Sequence, residues 1–157
     1  HVAPIDEFPT EKWDAIIAIM LSSAFHTTAA ALPLMRKAGW GRVINIASAH
    51  GLTASPYKSA YVSAKHGVVG MTKVVALETA KEPITANAIC PGYIETDINR
   101  DFFATEAGQK LVRRIPIRRL GQMEDLSAPL LLLASDHSRF MTGSELVVDG
   151  GHLVTSL

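Results

Sequence analysis

The clearest sign of the fold is the segment Gly41-Arg-Val-Ile-Asn-Ile-Ala-Ser48, which lies just before a long helical pattern. Val43–Ala47 is a short apolar run with β-branched residues, bounded by glycine and by Ser48, and this predicts a buried strand. Apolar and small residues at helical spacing predict a helix over Ser59–Thr79. Alternation of buried strands with long helices is typical of parallel sheets with helical crossovers.

Helices and strands continue to alternate on both sides of this segment. Thr10 is predicted to cap the first long helix, which we expect to pause near Pro33. Asn45 and Asn87 interrupt apolar strands, and buried amides need hydrogen-bond partners, so we expect them to bridge structural elements. The other predicted elements are a helix over Thr10–Lys37, a strand over Ile84–Cys90, one or two short helices over Asp97–Arg113, a leucine-rich helix over Glu124–Ser135 and a strand over Ser144–Val148.

Composition excludes several classes of protein. A length of 157 residues indicates one domain, and 48% hydrophobic with 19% charged residues is typical of a soluble globular protein. Basic and acidic residues balance at 15 each, so there is no electrostatic case for binding nucleic acid or a membrane surface. We find no continuous apolar run of about 18 residues, no signal peptide and no metal-ligand pattern. The single cysteine, Cys90, excludes an internal disulfide, suits a reducing cytoplasmic compartment and is expected to be a buried structural thiol.

Tyr61 and Lys65 form the most informative chemical motif. Residues four apart share one face of a helix, so the phenol and the ammonium can converge on one small volume. A nearby cation favours phenolate, so we expect the pKa of Tyr61 to lie below its ordinary value of about 10. Such a tyrosine can exchange a proton with an alcohol near neutral pH, and Ser48 can donate a hydrogen bond to the same substrate oxygen. Tyr-x-x-x-Lys alone is common in helices, and the surrounding motifs give it meaning.

Those motifs closely resemble the short-chain dehydrogenase/reductase family. They are Ser48 with Tyr61 and Lys65, then Asn87-Ala-Ile-Cys-Pro91-Gly92, and Val147-Val148-Asp149-Gly150-Gly151 near the end. The resemblance implies an α/β fold, the C-terminal portion of a doubly wound (Rossmann-type) parallel sheet. It implies an NAD(P)-dependent oxidoreductase that transfers hydride between nicotinamide and a secondary alcohol or ketone. By the same resemblance Tyr61 is the general acid/base, Lys65 binds the nicotinamide ribose and tunes Tyr61, and Ser48 orients the substrate carbonyl.

The resemblance also implies a cofactor site. Thr96 matches the family's Pro-Gly-x-x-x-Thr loop, in which the threonine and nearby backbone hold the nicotinamide carboxamide. An ordinary helix cap for a segment starting at Asp97 is the alternative, and the two roles are compatible. NAD is expected, with NADP as the alternative, because the discriminating residues lie outside this sequence. The implied cofactor-binding residues are Tyr61, Lys65, Pro91, Gly92, Ile94 and Thr96.

The chain resembles two branches of the family, and these branches imply different small-molecule substrates. Over the first ninety or so residues the chain resembles D-3-hydroxybutyrate dehydrogenases, in which residues matching His50 and Lys58 contact the substrate carboxylate. We expect this cationic pair, with Ser48 and Tyr93, to bind an anionic hydroxy acid. A solvated loop histidine and lysine are the alternative, and Tyr93 and His152 stand where that branch tends to have tryptophan. The downstream segment, from Tyr93-Ile-Glu-Thr96 to Leu131-Leu-Leu-Ala134-Ser-Asp136, resembles gluconate and other sugar or polyol dehydrogenases.

Two features suggest a partial or altered enzyme. No glycine-rich pyrophosphate-binding string is present, so we expect residues 1–157 to be a single partial domain that lacks the N-terminal cofactor-binding half. Met20 stands where many family members have an asparagine that serves a proton relay, and slow turnover is expected from this change. A catalytically inert fragment or an oligomerising module is therefore the alternative function.

A separate feature is the basic cluster Arg113, Arg114, Arg118 and Arg119, which we interpret as solvated charge at a helix end.

The family resemblance also implies a homo-oligomer, either a dimer or a tetramer. Related proteins pair through the two long helices that here span about Thr10–Lys37 and Ser59–Thr79. Small residues on the second helix, such as Gly67 and Gly70, permit close approach of another helix. The strand Val43–Ala47 would lack a neighbour on one side, and exposed apolar strand edges pair with other chains. We therefore expect that this chain is not a stable monomer.

Overall fold

The computed structural model describes residues 1–155, which form a three-stranded parallel sheet flanked by helices. The strands are β1 (Gly41–Ile46), β2 (Ile84–Pro91) and β3 (Glu145–Val148), in the spatial order β1-β2-β3. Both pairings are parallel, with Gly41 opposite Ile84 and Ala88 opposite Glu145. The predicted α/β class and the three predicted strands are confirmed, with strand ends displaced by one or two residues.

The helices that connect these strands also follow the predicted order. Two short helices lie within Asp97–Arg113, as predicted, and a 3₁₀ turn, Met123–Leu126, precedes the leucine-rich helix. The helices are α1 (Thr10–Ile17), α2 (Ser23–Ala38), α3 (Ser59–Glu78), α4 (Arg100–Ala104), α5 (Glu106–Val112) and α6 (Ser127–Ala134).

The first long helix differs from its prediction in two places. Thr10 is the first helical residue rather than the cap, and the extended Pro9 holds the cap position without a side-chain hydrogen bond. Pro33 does not interrupt α2, since Leu32 and Met35 on either side of it pack into the apolar core and hold the helix there. The irregularity lies earlier, in the π-helical turn Ala18–Ser22 that joins α1 to α2.

The core lies around β2, whose eight residues are all buried. Helix α3 packs on β2 and also lies beside the first long helix, where Gly67 permits the close approach. A Cβ at Gly67 would lie 2.8 Å from Leu21 Cδ2, so any larger residue would push the two helices apart. This packing fixes α3 relative to the carboxyl ends of the strands, where the predicted site residues lie.

The two strand asparagines bridge structural elements, as predicted. Asn45 Nδ2 donates to Thr72 Oγ1 at 2.8 Å and so joins β1 to α3. Asn87 Nδ2 donates to the Met141 carbonyl at 2.8 Å, while its Oδ1 accepts from the Ser144 amide at 3.0 Å. The bonds of Asn87, which is buried, satisfy its amide and tie the segment that precedes β3 to β2.

Two apolar surfaces remain uncovered in the described part of the chain. Strand β1 pairs on one side only, with β2, and Ile46 at its end is 51% exposed. Within the helix Thr10–Ala38, an 18-residue window has a mean hydropathy of 1.7 and only 11% of that window is buried, with Phe25 and Leu34 largely exposed. By length and composition alone it could cross a membrane, a property that the sequence analysis did not anticipate. Helices that pack against a second protein chain can satisfy the same criterion.

Candidate active site

The predicted site residues gather at the carboxyl ends of β1 and β2. Parallel strands bring these ends to one edge of the sheet, where α/β proteins bind their ligands. Ser48 follows β1 after one residue, Gly92 follows β2 directly, and Tyr61 and Lys65 lie in the first half of α3. The topology therefore places residues that are far apart in sequence around one volume.

That volume is a cavity of about 420 Å³. Every catalytic, cofactor-binding and substrate-binding residue predicted from the sequence lines it, although the role of each stays a prediction. The ten are Ser48, His50, Lys58, Tyr61, Lys65, Pro91, Gly92, Tyr93, Ile94 and Thr96. Seven other residues line the cavity without having been predicted as site residues, namely Ile46, Ala47, Ala49, Asn99, Met123, Leu126 and His152.

Ser48 is held in place by the short 3₁₀ turn that follows it. Its Oγ accepts a hydrogen bond from the His50 amide at 3.1 Å and so caps the turn Ala49–Gly51. A hydroxyl that accepts one bond still has its own proton to donate, so Ser48 can bond to a substrate oxygen. The turn also packs tightly on α3, because a Cβ at Gly51 would lie 2.9 Å from the Lys65 carbonyl oxygen. This contact fixes Ser48 relative to Tyr61 and Lys65.

Lys65 is anchored by the end of β1. Its Nζ donates to the Ile46 carbonyl at 2.8 Å and lies 5.9 Å from the centroid of the Tyr61 ring. The ammonium and the phenol therefore share the same cavity, as the four-residue spacing predicts. Burial lowers the pKa of Lys65 below its usual range. One of its three donors is used by the strand, which leaves two for a ligand.

His50 is neutral at physiological pH, which corrects the predicted cationic pair. Burial is the main cause that lowers its pKa from 6.5 to about 4, and the charge of Lys58 lowers it further. Its Nε2 forms a hydrogen bond of 2.7 Å with Ser55 Oγ. Lys58 is therefore the cation of this pair, while His50 offers a neutral ring to the substrate. Between pH 6.5 and pH 4 the unfolded chain binds a proton at His50 that the folded chain does not bind. The contribution of His50 to the free energy of unfolding therefore falls as pH drops from 6.5 toward 4.

Aromatic rings form one wall of the cavity around Tyr93. The Tyr93 ring centroid lies 5.2 Å from that of His152, 6.4 Å from that of His50 and 5.9 Å from that of Phe103. Burial raises the pKa of Tyr93, so its hydroxyl stays protonated at neutral pH. Tyr93 and His152 thus give this wall a hydroxyl and an imidazole that can bond to a ligand.

The loop after β2 is organised by Asn99, and Thr96 does not cap a helix with its side chain. Asn99 Oδ1 accepts from the Thr96 amide at 2.9 Å, and Asn99 Nδ2 donates to the Ile94 carbonyl at 2.8 Å. Helix α4 begins only at Arg100, because Asn99 closes the preceding turn. Within residues 1–155 the Thr96 hydroxyl makes no hydrogen bond, so the helix-cap alternative is wrong and the hydroxyl can serve a ligand.

Two other predicted features lie outside the lining of this cavity. Met20 is half-buried in the π-helical turn Ala18–Ser22, and its thioether cannot donate a hydrogen bond. Cys90 is fully buried, and burial raises the pKa of its thiol. A protonated, inaccessible thiol is inert, which confirms the interpretation of Cys90 as structural.

A family model described as enoyl-(acyl carrier protein) reductase matches residues 1–152. A D-beta-hydroxybutyrate dehydrogenase of Rhizobium meliloti (strain 1021) is 45% identical over 96% of this chain and 62% of its own length. The chain therefore belongs to the short-chain dehydrogenase/reductase family, an oxidoreductase family, and the predicted resemblance is confirmed.

Two solved structures support the same assignment. A 4-hydroxyisoleucine dehydrogenase mutant complexed with NADH and succinate superimposes with a TM-score of 0.94 at 30% identity, over 99% of this chain and 65% of that protein. A gluconate 5-dehydrogenase of Burkholderia cenocepacia J2315 in complex with NADP and tartrate gives a TM-score of 0.95 at 33% identity, over 99% and 62%. This chain thus spans less than two thirds of the length of each of these relatives.

The donor set of the cavity suits the nicotinamide half of a dinucleotide. Lys65 has two free donors for ribose hydroxyls, and the unengaged Thr96 hydroxyl can bond to a carboxamide. Gly92 also permits close packing, since a Cβ there would lie 2.8 Å from Asp149 Cα, and its predicted role in cofactor binding stays a prediction. The described residues therefore fit the cofactor class that the family uses.

Proposed function

We propose that this chain supplies the catalytic part of an NAD(P)-dependent dehydrogenase acting on the secondary alcohol of a small hydroxy acid, with D-3-hydroxybutyrate as the leading substrate. The observation that carries this proposal is the convergence of Ser48, Tyr61 and Lys65 on one cavity. The hydroxybutyrate dehydrogenase relative supports the substrate class. A gluconate-type polyol is the second candidate, and the solved gluconate 5-dehydrogenase supports it.

Each side chain has a distinct task in the proposed reaction. The nicotinamide cofactor accepts or supplies the hydride when bound. Tyr61 exchanges a proton with the alcohol oxygen, as the general acid/base. Ser48 donates a hydrogen bond to that oxygen and holds it in place. Lys65 and Thr96 hold the cofactor, and Lys65 places a positive charge close to Tyr61.

Charge in the cavity favours a substrate that carries a carboxylate, as both 3-hydroxybutyrate and gluconate do. Lys58 is a cation close enough to lower the pKa of the neighbouring His50, and no carboxylate side chain lines the cavity among the described residues. A substrate carboxylate would therefore meet one uncompensated positive charge and the polar rings of His50 and His152.

We also propose the assembly and location of the protein. Residues 1–157 form one partial dinucleotide-binding domain, and the protein is a cytoplasmic homo-oligomer. The exposed apolar helix Thr10–Ala38 and the single reduced Cys90 support this proposal.

Oxidation of D-3-hydroxybutyrate and of gluconate, each with NAD and with NADP, tests the proposal. We expect hydroxybutyrate with NAD to be the better pair. Replacement Lys58→Met should raise KM for hydroxybutyrate about tenfold, because it removes the charge that pairs with the carboxylate. The exposed Lys37→Met serves as the control and should leave KM unchanged. Faster oxidation of gluconate would refute 3-hydroxybutyrate as the leading substrate, and an unaltered KM in the Lys58 variant would refute the pairing of Lys58 with the substrate carboxylate.

A further inference from the structure

A second cavity, of about 560 Å³, adjoins the candidate active site. The two cavities share three lining residues, His50, Tyr93 and His152, so a ligand of sufficient length can occupy both. The outer part of the second cavity is lined by arginines, which lie at and after the end of α5. They are Arg113, Arg114 and Arg118.

Within residues 1–155 these arginines have no neutralising partner. No carboxylate side chain lines the cavity, and none of the three forms an ion pair in the portion of the chain that the structure describes. Arg119 differs, since its guanidinium binds Asp125 at 2.7 and 3.3 Å. The interpretation of the whole cluster as solvated helix-end charge is therefore incomplete. One arginine is paired, and three face a common concave space.

The backbone at Arg118 supports a role for its side chain. Arg118 has φ of 60°, in the left-handed region that favours glycine. A strained residue of this kind is a reason to look for a function. Its guanidinium donates to the Arg113 carbonyl, which orients it beside the other arginines.

The junction between the cavities offers further polar groups. His152 Nδ1 is buried and has no hydrogen-bond partner within residues 1–155, so a ligand atom could satisfy it. The charge of Arg114 acts on the Tyr93 hydroxyl and opposes the effect of burial there. Positive charge thus extends from Lys58 in the first cavity to the arginines of the second.

We propose that the arginine-lined cavity binds a second anionic group of the substrate. The proposed substrate class is thereby extended beyond the monoanionic 3-hydroxybutyrate to hydroxy acids with a second anionic group, whose alcohol lies at Tyr61 and whose distal carboxylate or phosphate lies against Arg113, Arg114 and Arg118. Guanidinium groups bind both kinds of anion through paired hydrogen bonds. The placement of the alcohol rests on the proposed function, whereas the anion site does not.

Calorimetric titration of the 157-residue chain, without cofactor, tests the anion site. The probes are glutarate, inorganic phosphate and butyrate, which compare a dicarboxylate and a phosphate with a monocarboxylate. We expect glutarate or phosphate to bind at least about tenfold more tightly than butyrate, with affinity that falls as salt rises. The tighter of the two identifies the distal anion as carboxylate or phosphate.

Variants of the cavity arginines test where the anionic probe binds. Arg114→Gln and Arg118→Gly should each weaken the tighter probe about tenfold or more, while Arg139→Gln, an exposed arginine outside this cavity, should not. Equal affinity for all three probes, absence of binding, or unchanged affinity in both arginine variants would overturn the anion site. These titrations measure binding and not turnover. A negative result would therefore overturn the anion site without deciding the proposed dehydrogenase reaction, which the kinetic assays test.

Discussion

Replacing Tyr61 by phenylalanine is expected to lower kcat by about 10²- to 10⁴-fold, the usual range for loss of a general acid/base. The substitution removes one hydroxyl from the wall of the cavity and keeps the ring. The ring contacts with His50 and Lys65 should persist, so the fold and the cofactor affinity should change little. The expected loss therefore lies in kcat rather than in KM.

Tyr57→Phe is the matched control for this variant. Tyr57 is 57% exposed and does not line the candidate active site, so removing its hydroxyl should leave turnover unchanged. Steady-state kinetics and a thermal melt on both variants separate chemistry from folding. Near-normal kcat in a folded Tyr61→Phe protein would show that another group moves the proton.

The 157-residue chain is expected to associate in solution and to show no stable monomer of 16.9 kDa. Strand β1 presents unpaired backbone groups along its outer side, and such edges pair with other chains. The first long helix exposes Ile19, Phe25 and Leu34, and α3 exposes Leu77. Apolar patches of this kind promote association because their burial removes them from water.

Gly70 provides a way to locate the contact. A Cβ at Gly70 would meet nothing within 4 Å, so the chain itself leaves room on this face of α3. Gly70→Arg should therefore fold normally but shift light scattering toward smaller species if the long helices form the interface. Ala80→Arg, an exposed position beyond the end of α3, is the control. A monodisperse wild-type monomer with a cooperative melt would contradict the expectation of association.

Much of the fold was accessible from the sequence because local signals and tertiary packing agree. The run Val43–Ala47 is largely apolar with β-branched residues, and all of it except Ala47 lies in β1, which pairs in parallel with β2. The spacing of Tyr61 and Lys65 was informative because a helix has a fixed period, so both side chains enter one cavity. Helix ends were less certain, as Thr10 shows, since several residues near a terminus can serve as a cap.

The parts that could not be predicted depend on contacts between distant segments. His50 reads as a cation in the sequence, but the fold buries it beside Lys58 and keeps it neutral. Asn99 belongs to no motif, and it organises the loop after β2 only because its amide spans from Ile94 to Thr96. Likewise, the sequence does not indicate which of the four nearby arginines forms an ion pair. Only the fold shows that Arg119 binds Asp125 while the other three do not.

The most direct test of the proposed active site is binding of reduced nicotinamide mononucleotide to this chain. This probe contains the half of the cofactor that Lys65 and Thr96 are proposed to hold, whereas AMP contains the other half. We predict saturable binding with Kd of about 1 mM or tighter, which Lys65→Met abolishes and the exposed Lys81→Met preserves, and weaker binding of AMP. Absence of saturable binding, or equal affinity in the Lys65 and Lys81 variants, would contradict the assignment of this cavity as a nicotinamide site.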